Sequence, residues 1–334
     1  MRTTHPTFIS ATLLDAPQTA ARLPYPMLAR ELTLLLTDAS VQVPPRLVQP
    51  LNGGGCLFVM PALDGHTAIT KLITFTPANA AKGLATIQGD VVVFDVATGQ
   101  RKLILDGPTV TARRTAAVSL LAAQRLAPCP QGPLLIVGAG VQGKAHLEAF
   151  AEGLPIREVM IASRSAASAQ ALAQHAQSLG LQARVVTNAN AALAECPLAV
   201  TCTPASGVVL SALPRGDAFI AAVGAFTPRM VELSPALCRY FAEQGTVVVD
   251  TVDAEHEAGD LLQAGLDVAS FASLADVIHA DTFPVKGPVL FKSCGWAGWD
   301  LAAARTALAH VAEQNTTEPS ADSARETLQA VLEK

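Results

Sequence analysis

The segment LLIVGAGVQGKAHLEAF, residues 134–150, restricts the possible folds of this 334-residue chain more than any other segment. Four apolar residues lead into Gly138, Gly140 and Gly143, which are spaced as G-x-G-x-x-G, and a helical pattern follows. In this setting the first glycine permits a tight turn, the second lets a pyrophosphate approach the backbone, and the third allows close helix packing. The segment therefore predicts a dinucleotide-binding loop at a helix N-terminus, where free N–H groups favour phosphate charge.

The chain after residue 126 alternates short apolar segments with helical patterns. Strands separated by helices are typical of βαβ units, in which the strands run parallel. A lone glycine motif is weak evidence, but here it opens such a series and occupies a strand–turn–helix context. The sequence predicts an α/β fold with a doubly wound, parallel Rossmann sheet. Its candidate strands are LLIV, EVMIA, ARVV, PLAVTC, AFIAAVG and TVVVD.

The first 108 residues follow a different pattern. Leucines recur at helical spacing between residues 28 and 36 and predict one amphipathic helix. Five strand-like segments separated by glycine-containing turns then predict an antiparallel meander, and a long helix follows it. The tail is helical from Trp296 until a polar stretch, EQNTTEPSADS, which precedes a last short helix. The strand-like segments are RLVQPL, CLFVMPAL, HTAITKLITF, DVVVFDV and KLILDG.

Charge and composition argue against several classes of partner. The net charge is −5 and no cluster of Lys and Arg is present, so we expect no nucleic-acid partner. Apolar runs end well before the roughly 18 residues that cross a bilayer, and residues 1–17 do not have the pattern of a signal peptide. We therefore expect no membrane association and a cytoplasmic location. Six scattered cysteines and seven histidines form no metal-binding spacing, so we expect reduced structural thiols and no metal.

The segment after the second candidate strand bears on the choice of dinucleotide. NAD-binding sites place an acidic residue about 20 residues beyond the glycine loop, and this chain has none there. It has Ser163, Arg164 and Ser165 instead, and Arg164 lies 164 − 143 = 21 residues after the third glycine. A guanidinium with two hydroxyls suits a 2′-phosphate, although a solvated arginine at a strand end is common. We expect NADPH, with NADH as the weaker alternative.

Six blocks of sequence together resemble the ornithine cyclodeaminase and mu-crystallin family over nearly the full chain. The blocks are AITKLITF, KGLATIQG, TARRTAAVSLLAAQ, GAGVQGKAH, AAVGAFTP and FKSCGWAGWDLAAA. The resemblance implies a homodimer with a mixed α+β domain for substrate binding and dimerisation over residues 1–125. That domain would be completed by the C-terminal helix, about residues 300–334, and the Rossmann domain would span residues 126–299.

The resemblance assigns three cations to the substrate carboxylate. Lys71 and Arg46 match carboxylate-binding residues of the family, and Arg114 matches an arginine that contacts both substrate and cofactor. Charged hydrogen bonds from three cations would fix the orientation of a carboxylate. Lys71 is also the candidate catalytic residue, because it would be able to protonate the substrate; protonation in solution is the alternative. Without the resemblance, a surface charge or a structural ion pair is the simpler interpretation of each.

The resemblance also assigns positions around the cofactor, all in loops or at strand ends. Cys294 is interpreted as a packing thiol because no activating group is evident beside it. The candidate cofactor-binding residues are Thr86, Arg114, Gly138, Gly140, Val141, Gln142, Gly143, Ser163, Arg164, Ser165, Thr201, Cys202, Val223, Gly224, Ser293 and Cys294.

One departure from the family pattern changes the expected chemistry. Cyclodeaminases carry an aspartate two residues after the glycine of AAVG, and this chain has Phe226 there; the lysine that follows in those enzymes is Met230 here. A phenyl ring cannot relay a proton. What remains is reduction of a C=N bond beside a carboxylate, with Phe226 packed on the substrate ring.

Mu-crystallin-like members of the family that reduce cyclic ketimines fit this pattern, so the resemblance implies an NADPH-dependent reductase of cyclic ketimines. The substrates would be Δ1-pyrroline-2-carboxylate and Δ1-piperideine-2-carboxylate, and the products L-proline and L-pipecolate. Three alternatives stay open: an ornithine cyclodeaminase, an amino-acid dehydrogenase such as an alanine dehydrogenase, and a binding protein that holds NADPH and a small ligand without turnover.

Overall fold

The computed structural model describes residues 12–52, 54–204 and 206–317. Residues 1–11, which hold most of the segment used to argue against a signal peptide, lie outside the described residues. The last short helix that the sequence predicts after the polar stretch also lies outside them.

The N-terminal part of the chain forms a six-stranded sheet in the order β1-β6-β5-β4-β3-β2. Neighbouring strands from β2 to β6 are antiparallel, as the meander pattern predicts, and only β1 is parallel to its neighbour β6. The bounds are β1 Thr12–Leu13, α1 Ala16–Ala21, α2 Tyr25–Leu36, β2 Leu47–Pro50, β3 Cys56–Leu63, β4 Thr67–Phe75, a 3-10 helix Pro77–Lys82, β5 Ile87–Asp95 and β6 Arg101–Asp106.

Alternation along β4 gives this sheet two different faces. Lys71 lies opposite Met60 and Val91, and all three are buried on the inner face. Its neighbour Leu72 points to the outer face, where it pairs with Val59 and is 46% exposed. The inner face therefore holds the candidate catalytic lysine.

Helix α3 (Gly107–Leu126) begins directly at the end of β6. The Asp106 carboxylate accepts a hydrogen bond from the Thr109 N–H at 2.8 Å, and Pro108 occupies the first turn, where its missing N–H is harmless. Most of the helix is buried, so Arg114 is carried into the interior between the two sheets.

The C-terminal part forms an eight-stranded, wholly parallel sheet in the order β15-β14-β16-β12-β10-β7-β8-β9. This confirms the predicted Rossmann class. The bounds are β7 Leu134–Val137, α4 Val141–Gly153, β8 Glu158–Ala162, α5 Ala166–Ser178, β9 Gln182–Val186, α6 Ala189–Leu193, β10 Leu198–Thr201, β11 Ser206–Leu210, β12 Phe219–Ala222, β13 Val231–Leu233, α7 Pro235–Gln244, β14 Thr246–Val249, 3-10 helix Val252–His256, α8 Gly259–Gln263, 3-10 helix Val268–Ser270, β15 Ala272–Ser273, α9 Leu274–His279 and β16 Val289–Lys292.

Five short strands among the described residues were not predicted from the sequence: β1, β11, β13, β15 and β16. The segment VLFK forms the buried strand β16 between β12 and β14, whereas the sequence interpretation placed only a closing loop in this region. Strands β11 and β13 form a separate two-stranded parallel sheet. Their length does not distinguish them, because the predicted strands β7 and β10 have four residues each.

Helix α10 (Ala297–Thr317) returns to the first sheet and packs on β3, β4, α2 and α3. Arg305 on this helix pairs with Glu31 at 2.9 Å, Asp38 at 3.1 Å and Asp64 at 3.5 Å.

The domain boundaries at residues 125 and 299 stay a prediction. Within residues 12–52, 54–204 and 206–317, no helix has the length and apolarity to span a membrane.

Candidate active site

A cavity of about 220 Å³ lies between the inner face of the first sheet and the carboxyl ends of the parallel strands. Open α/β sheets bind ligands at this edge. The cavity brings together ten of the predicted site residues, from both parts of the chain. They are Arg46, Lys71, Arg114, Gln142, Cys202, Val223, Gly224, Phe226, Ser293 and Cys294.

Two of the predicted cations share one carboxylate. The Lys71 Nζ lies 2.7 Å from Asp300 Oδ2, and the Arg114 Nε lies 3.2 Å from Asp300 Oδ1. All three side chains are buried. With two cations and one anion, the cluster has one surplus positive charge, which a carboxylate ligand would neutralise. Sequence reasoning missed Asp300, although it stands in the quoted block FKSCGWAGWDLAAA as an acid in an apolar helix.

Burial changes the acidity of Lys71. Loss of hydration lowers the pKa of its ammonium to about 8, and the charge of Asp300 opposes this shift. A group with a pKa near the working pH transfers a proton most effectively, so the position suits a general acid.

Arg46 lines the cavity from the first part of the chain and forms an ion pair with Glu257 from the second. Glu257 follows the 3-10 helix Val252–His256, so the pair joins the two parts at the cavity. Arg46 therefore has a protein partner, and a ligand carboxylate would compete with Glu257 for it.

One wall of the cavity is apolar. Phe58, Met60 and Ile73 come from the inner face of β3 and β4, and Phe75 meets Phe226 edge-to-face with ring centroids 6.1 Å apart. Phe226 belongs to the loop after β12, so this contact closes the cavity between the two sheets. The wall suits the methylenes of a small ring.

Two cavity-lining polar atoms have no hydrogen-bond partner among the described residues. They are Thr111 Oγ1 and Gln142 Oε1, and both are buried. Buried polar atoms without partners are costly, so each is available to a ligand. Thr111 was not predicted; its position three residues before Arg114 on α3 places both on one helix face.

The glycine loop has the local geometry that a dinucleotide requires. Gly138 adopts φ +116°, and its N–H donates to the Ala162 carbonyl at 2.9 Å. A Cβ at Gly143 would overlap the Gly138 carbonyl oxygen, whereas a Cβ at Gly140 would have no protein atom within 4 Å. Gly140 is also the N-cap of α4 and provides no side-chain hydrogen bond. The N–H groups of α4 are therefore open to an anion beside Gly140.

Glu232 supports the strand ends under the cavity. It accepts hydrogen bonds from the Thr201 hydroxyl at 2.9 Å, the Thr203 N–H at 2.6 Å and the Gly224 N–H at 2.6 Å. Burial raises the pKa of its carboxyl group. Thr201 is fully buried with its hydroxyl on Glu232, so the structure does not place this predicted side chain at the cavity.

Asp250 fixes the loop that contains Ser293 and Cys294. Its Oδ2 accepts from the Ser293 hydroxyl at 2.9 Å, the Cys294 N–H at 2.9 Å and the Gly295 N–H at 2.8 Å. The segment TVVVD was predicted as a strand, but its aspartate was not predicted as a site residue. Its position directly after an apolar strand was the signal in the sequence that could have identified Asp250.

Cys294 lines the cavity but is not an activated thiol. Burial raises its pKa to about 12, even though the Lys292 ammonium lies close enough to favour the thiolate. The sequence interpretation found no such cation. Its conclusion that the thiol is a packing group agrees with the raised pKa.

The remaining predicted residues lie outside the cavity lining. Arg164 is exposed after β8, which pairs with β7, so it is next to the glycine loop. Ser165 caps α5 by accepting the Ser168 N–H at 3.2 Å, and Val141 is 73% exposed at the start of α4. The Thr86 carbonyl accepts the Thr76 N–H at 2.7 Å. In the part of the chain that the structure describes, no cluster of three or more His, Cys, Asp or Glu residues could hold a metal ion.

The fold and the cavity define an α/β protein of the Rossmann class, in which a second, mainly antiparallel sheet covers the ligand-binding edge of the parallel one. The chain belongs to the ornithine cyclodeaminase/mu-crystallin family, whose model matches residues 28–315. This confirms the resemblance noted in the sequence.

Named relatives in this family include two bacterial proteins of similar length. Delta(1)-pyrroline-2-carboxylate reductase 1 of Burkholderia multivorans is 40% identical over 303 residues, which cover 88% of this chain and 94% of that protein. The Delta(1)-pyrroline-2-carboxylate/Delta(1)-piperideine-2-carboxylate reductase of Azospirillum brasilense is 40% identical over 300 residues and covers the same shares. Among solved structures, the Thermococcus litoralis Delta(1)-pyrroline-2-carboxylate reductase with NADH and L-proline has the same fold. Its TM-score is 0.78 at 23% identity, over 91% of this chain and 95% of that one.

Proposed function

We propose that this protein is an NADPH-dependent reductase of cyclic ketimine carboxylates, Δ1-pyrroline-2-carboxylate and Δ1-piperideine-2-carboxylate, which forms L-proline and L-pipecolate. The observation that carries this proposal is the surplus positive charge of Lys71, Arg114 and Asp300 beside an apolar wall. A small ring with one carboxylate matches this cavity, because the cations would bind the carboxylate and the apolar wall would contact the ring. The names of the Burkholderia and Azospirillum relatives support the same substrates.

The chain's residues fit a nicotinamide dinucleotide. The open space at Gly140 and the uncapped start of α4 suit a pyrophosphate, and the buried amide oxygen of Gln142 lies one helix position before Gly143 and faces the cavity. When bound, the reduced nicotinamide supplies the hydride that converts the C=N carbon into a CH centre.

The protein's own groups then provide orientation and a proton. Lys71 and Arg114 hold the substrate carboxylate, and the free Thr111 hydroxyl donates a further hydrogen bond beside Arg114. The Lys71 ammonium donates one proton to the ring nitrogen. Phe75 and Phe226 cover the ring methylenes and exclude water, which strengthens the charged hydrogen bonds.

The activity is tested by supplying the purified protein with NADPH and Δ1-pyrroline-2-carboxylate. We expect NADPH oxidation with stoichiometric L-proline, and no ammonia from L-ornithine with either oxidised cofactor, because Phe226 supplies no acid–base group. Ammonia release from ornithine at a comparable rate would instead indicate a cyclodeaminase. NADH formation from alanine would indicate an amino-acid dehydrogenase, and NADPH binding without turnover a binding protein.

We propose that Arg164 gives the site its preference for NADPH. Arg164→Ala should raise the KM for NADPH about 10- to 100-fold, because a charged hydrogen bond contributes about 1.5–3 kcal/mol, and should leave NADH nearly unaffected. Initial rates with both cofactors measure this. Arg157→Ala, which changes an exposed arginine at the opposite end of β8, is the control. Equal losses with NADPH and NADH would remove Arg164 from the 2′-phosphate site.

We further propose that the protein is a homodimer that pairs through the outer face of the first sheet. Leu47, Val59 and Leu72 lie side by side on that face, and Leu47 and Leu72 are 56% and 46% exposed. Leu57, Pro61 and Leu63 share the face through the alternation of β3. An exposed apolar cluster on a sheet face is typical of a surface that a second protein covers.

A further inference from the structure

Asp300 lies where three separate elements meet. It belongs to the first turn of α10, whereas Lys71 belongs to β4 and Arg114 to α3. Each carboxylate oxygen faces a different cation, at 2.7 Å and 3.2 Å, and no part of the side chain reaches solvent. Among the described residues, no other carboxylate forms an ion pair with either cation. Asp300 therefore fixes the distance between the two carboxylate-binding groups.

Removal of this carboxylate would leave two buried positive charges facing each other. A buried ammonium without a counterion loses its proton readily, because its charged form has lost hydration and gained nothing in return. Arg114 and, to a smaller extent, Arg46 already disfavour the charged form of Lys71, and only Asp300 opposes them. Lys71 would then be neutral when the substrate arrives, and it would have one proton fewer to donate.

We propose that Asp300 is a positioning residue for the reduction: it orients Lys71 and Arg114 around the substrate and keeps Lys71 charged until the proton is transferred. This inference rests on the proposed function. Asp300 itself stays a carboxylate throughout and touches neither substrate nor cofactor.

The proposed step balances in atoms and charge. The reduced nicotinamide, when bound, would supply a hydride: one of its C–H bonds would break and it would be left oxidised, while a C–H bond forms at the imine carbon and the C=N π pair moves to nitrogen. One N–H bond of the Lys71 ammonium breaks as its proton joins that nitrogen, so Lys71 becomes a neutral amine beside Asp300. Water restores the lysine proton after the product leaves, because Lys71 lines the cavity.

Asp300→Asn tests this role, because the amide keeps the shape and removes the charge. We expect kcat/KM at neutral pH to fall about 10- to 100-fold. Activity needs protonated Lys71, so it is present below the pKa of Lys71 and is lost as pH rises through that value, about 8 in the native protein. In Asp300→Asn the loss should occur at a pH lower by about one unit or more. The ionisation of the substrate is the same for every variant, so a difference between profiles belongs to the protein.

Two further variants separate positioning from stability. Asp38→Asn removes another carboxylate that contacts α10, through Arg305, and should leave the pH profile unchanged. Asp300→Glu keeps the charge and should keep the high-pH loss of activity near that of the native protein, even if kcat falls. An Asp300→Asn profile that coincides with the native one, or an Asp300→Glu profile shifted as far as that of Asp300→Asn, would overturn the proposal.

A measurement without turnover distinguishes this inference from the proposed function. Nuclear magnetic resonance of ¹⁵N-labelled lysine side chains follows the Lys71 ammonium directly, with Lys71→Met identifying its signal. We expect this signal to titrate at a lower pH in Asp300→Asn than in the native protein. A native protein that ignores the cyclic imine would refute the proposed function but leave this titration interpretable. An unchanged titration would refute the role of Asp300.

Discussion

Lys71→Met should lower kcat/KM for imine reduction about 10³- to 10⁵-fold. The change removes a proton donor, which is typically worth about 10²–10⁴-fold, and a charged hydrogen bond to the carboxylate, worth about 1.5–3 kcal/mol. Methionine keeps the unbranched stem, so the inner face of β4 stays filled. NADPH binding, followed by the change in its fluorescence, should persist because Lys71 lies on the first sheet and the glycine loop on the second.

Lys71→Arg is the matched control for charge. Arginine retains a cation for Asp300 and the substrate, but its pKa is too high to release a proton. We therefore expect L-proline binding to survive better in Lys71→Arg than in Lys71→Met, while kcat falls in both. Near-native turnover by Lys71→Met would show that the substrate site lies elsewhere.

Gly140→Ala should weaken NADPH and NADH binding alike, by about 10²- to 10⁴-fold. The added methyl group meets no protein atom, and Gly140 has φ −91° and ψ −162°, so the fold should tolerate alanine. The methyl would instead occupy the approach of the pyrophosphate to the backbone. Loss of two charged hydrogen bonds from α4, each about 1.5–3 kcal/mol, gives the expected range. Titration with each nucleotide and a thermal melt measure binding and stability.

Two other glycines provide comparisons for Gly140→Ala. A methyl at Gly143 would overlap the Gly138 carbonyl oxygen, so Gly143→Ala should lower the melting temperature as well as binding. Gly216 has open space and lies before β12, away from the carboxyl ends of the strands, so Gly216→Ala should change neither property. Tight nucleotide binding by Gly140→Ala would contradict the proposed position of the pyrophosphate.

Local patterns predicted both sheets because their signals are contained within short segments. Alternation along β4 and the series of strands and helices after residue 126 depend only on neighbouring residues. Strand β16 was missed although it is as short and as buried as β7 and β10, which were predicted. It is a strand because β12 and β14, which come from other parts of the chain, supply hydrogen bonds on both sides.

The site was predicted unevenly for a similar reason. The glycine spacing pointed to the nucleotide loop and the resemblance to the family pointed to Lys71 and Arg114, but the sequence around each acid does not show which cation it meets. Asp300 lies 300 − 71 = 229 residues from Lys71, and Glu257 is similarly distant from Arg46. Which acid meets which base depends on how three elements pack, and an acid in a helix is otherwise most often a solvated group.

The position of α10 means that the ion pairs of Asp300 form only after both sheets have been synthesised. A ribosome that has produced Lys71 must add 229 residues before Asp300 exists, which takes roughly 10–50 s at about 5–20 residues per second. The parallel sheet, complete at Lys292, precedes α10 on the nascent chain. Until α10 emerges, the inner face of β3 and β4 lacks the helix that packs on it, and the Lys71 ammonium has no carboxylate partner. A nascent chain that stops before residue 300 would therefore possess the nucleotide loop and the residues that line the cavity, but not the carboxylate that pairs with Lys71 and Arg114.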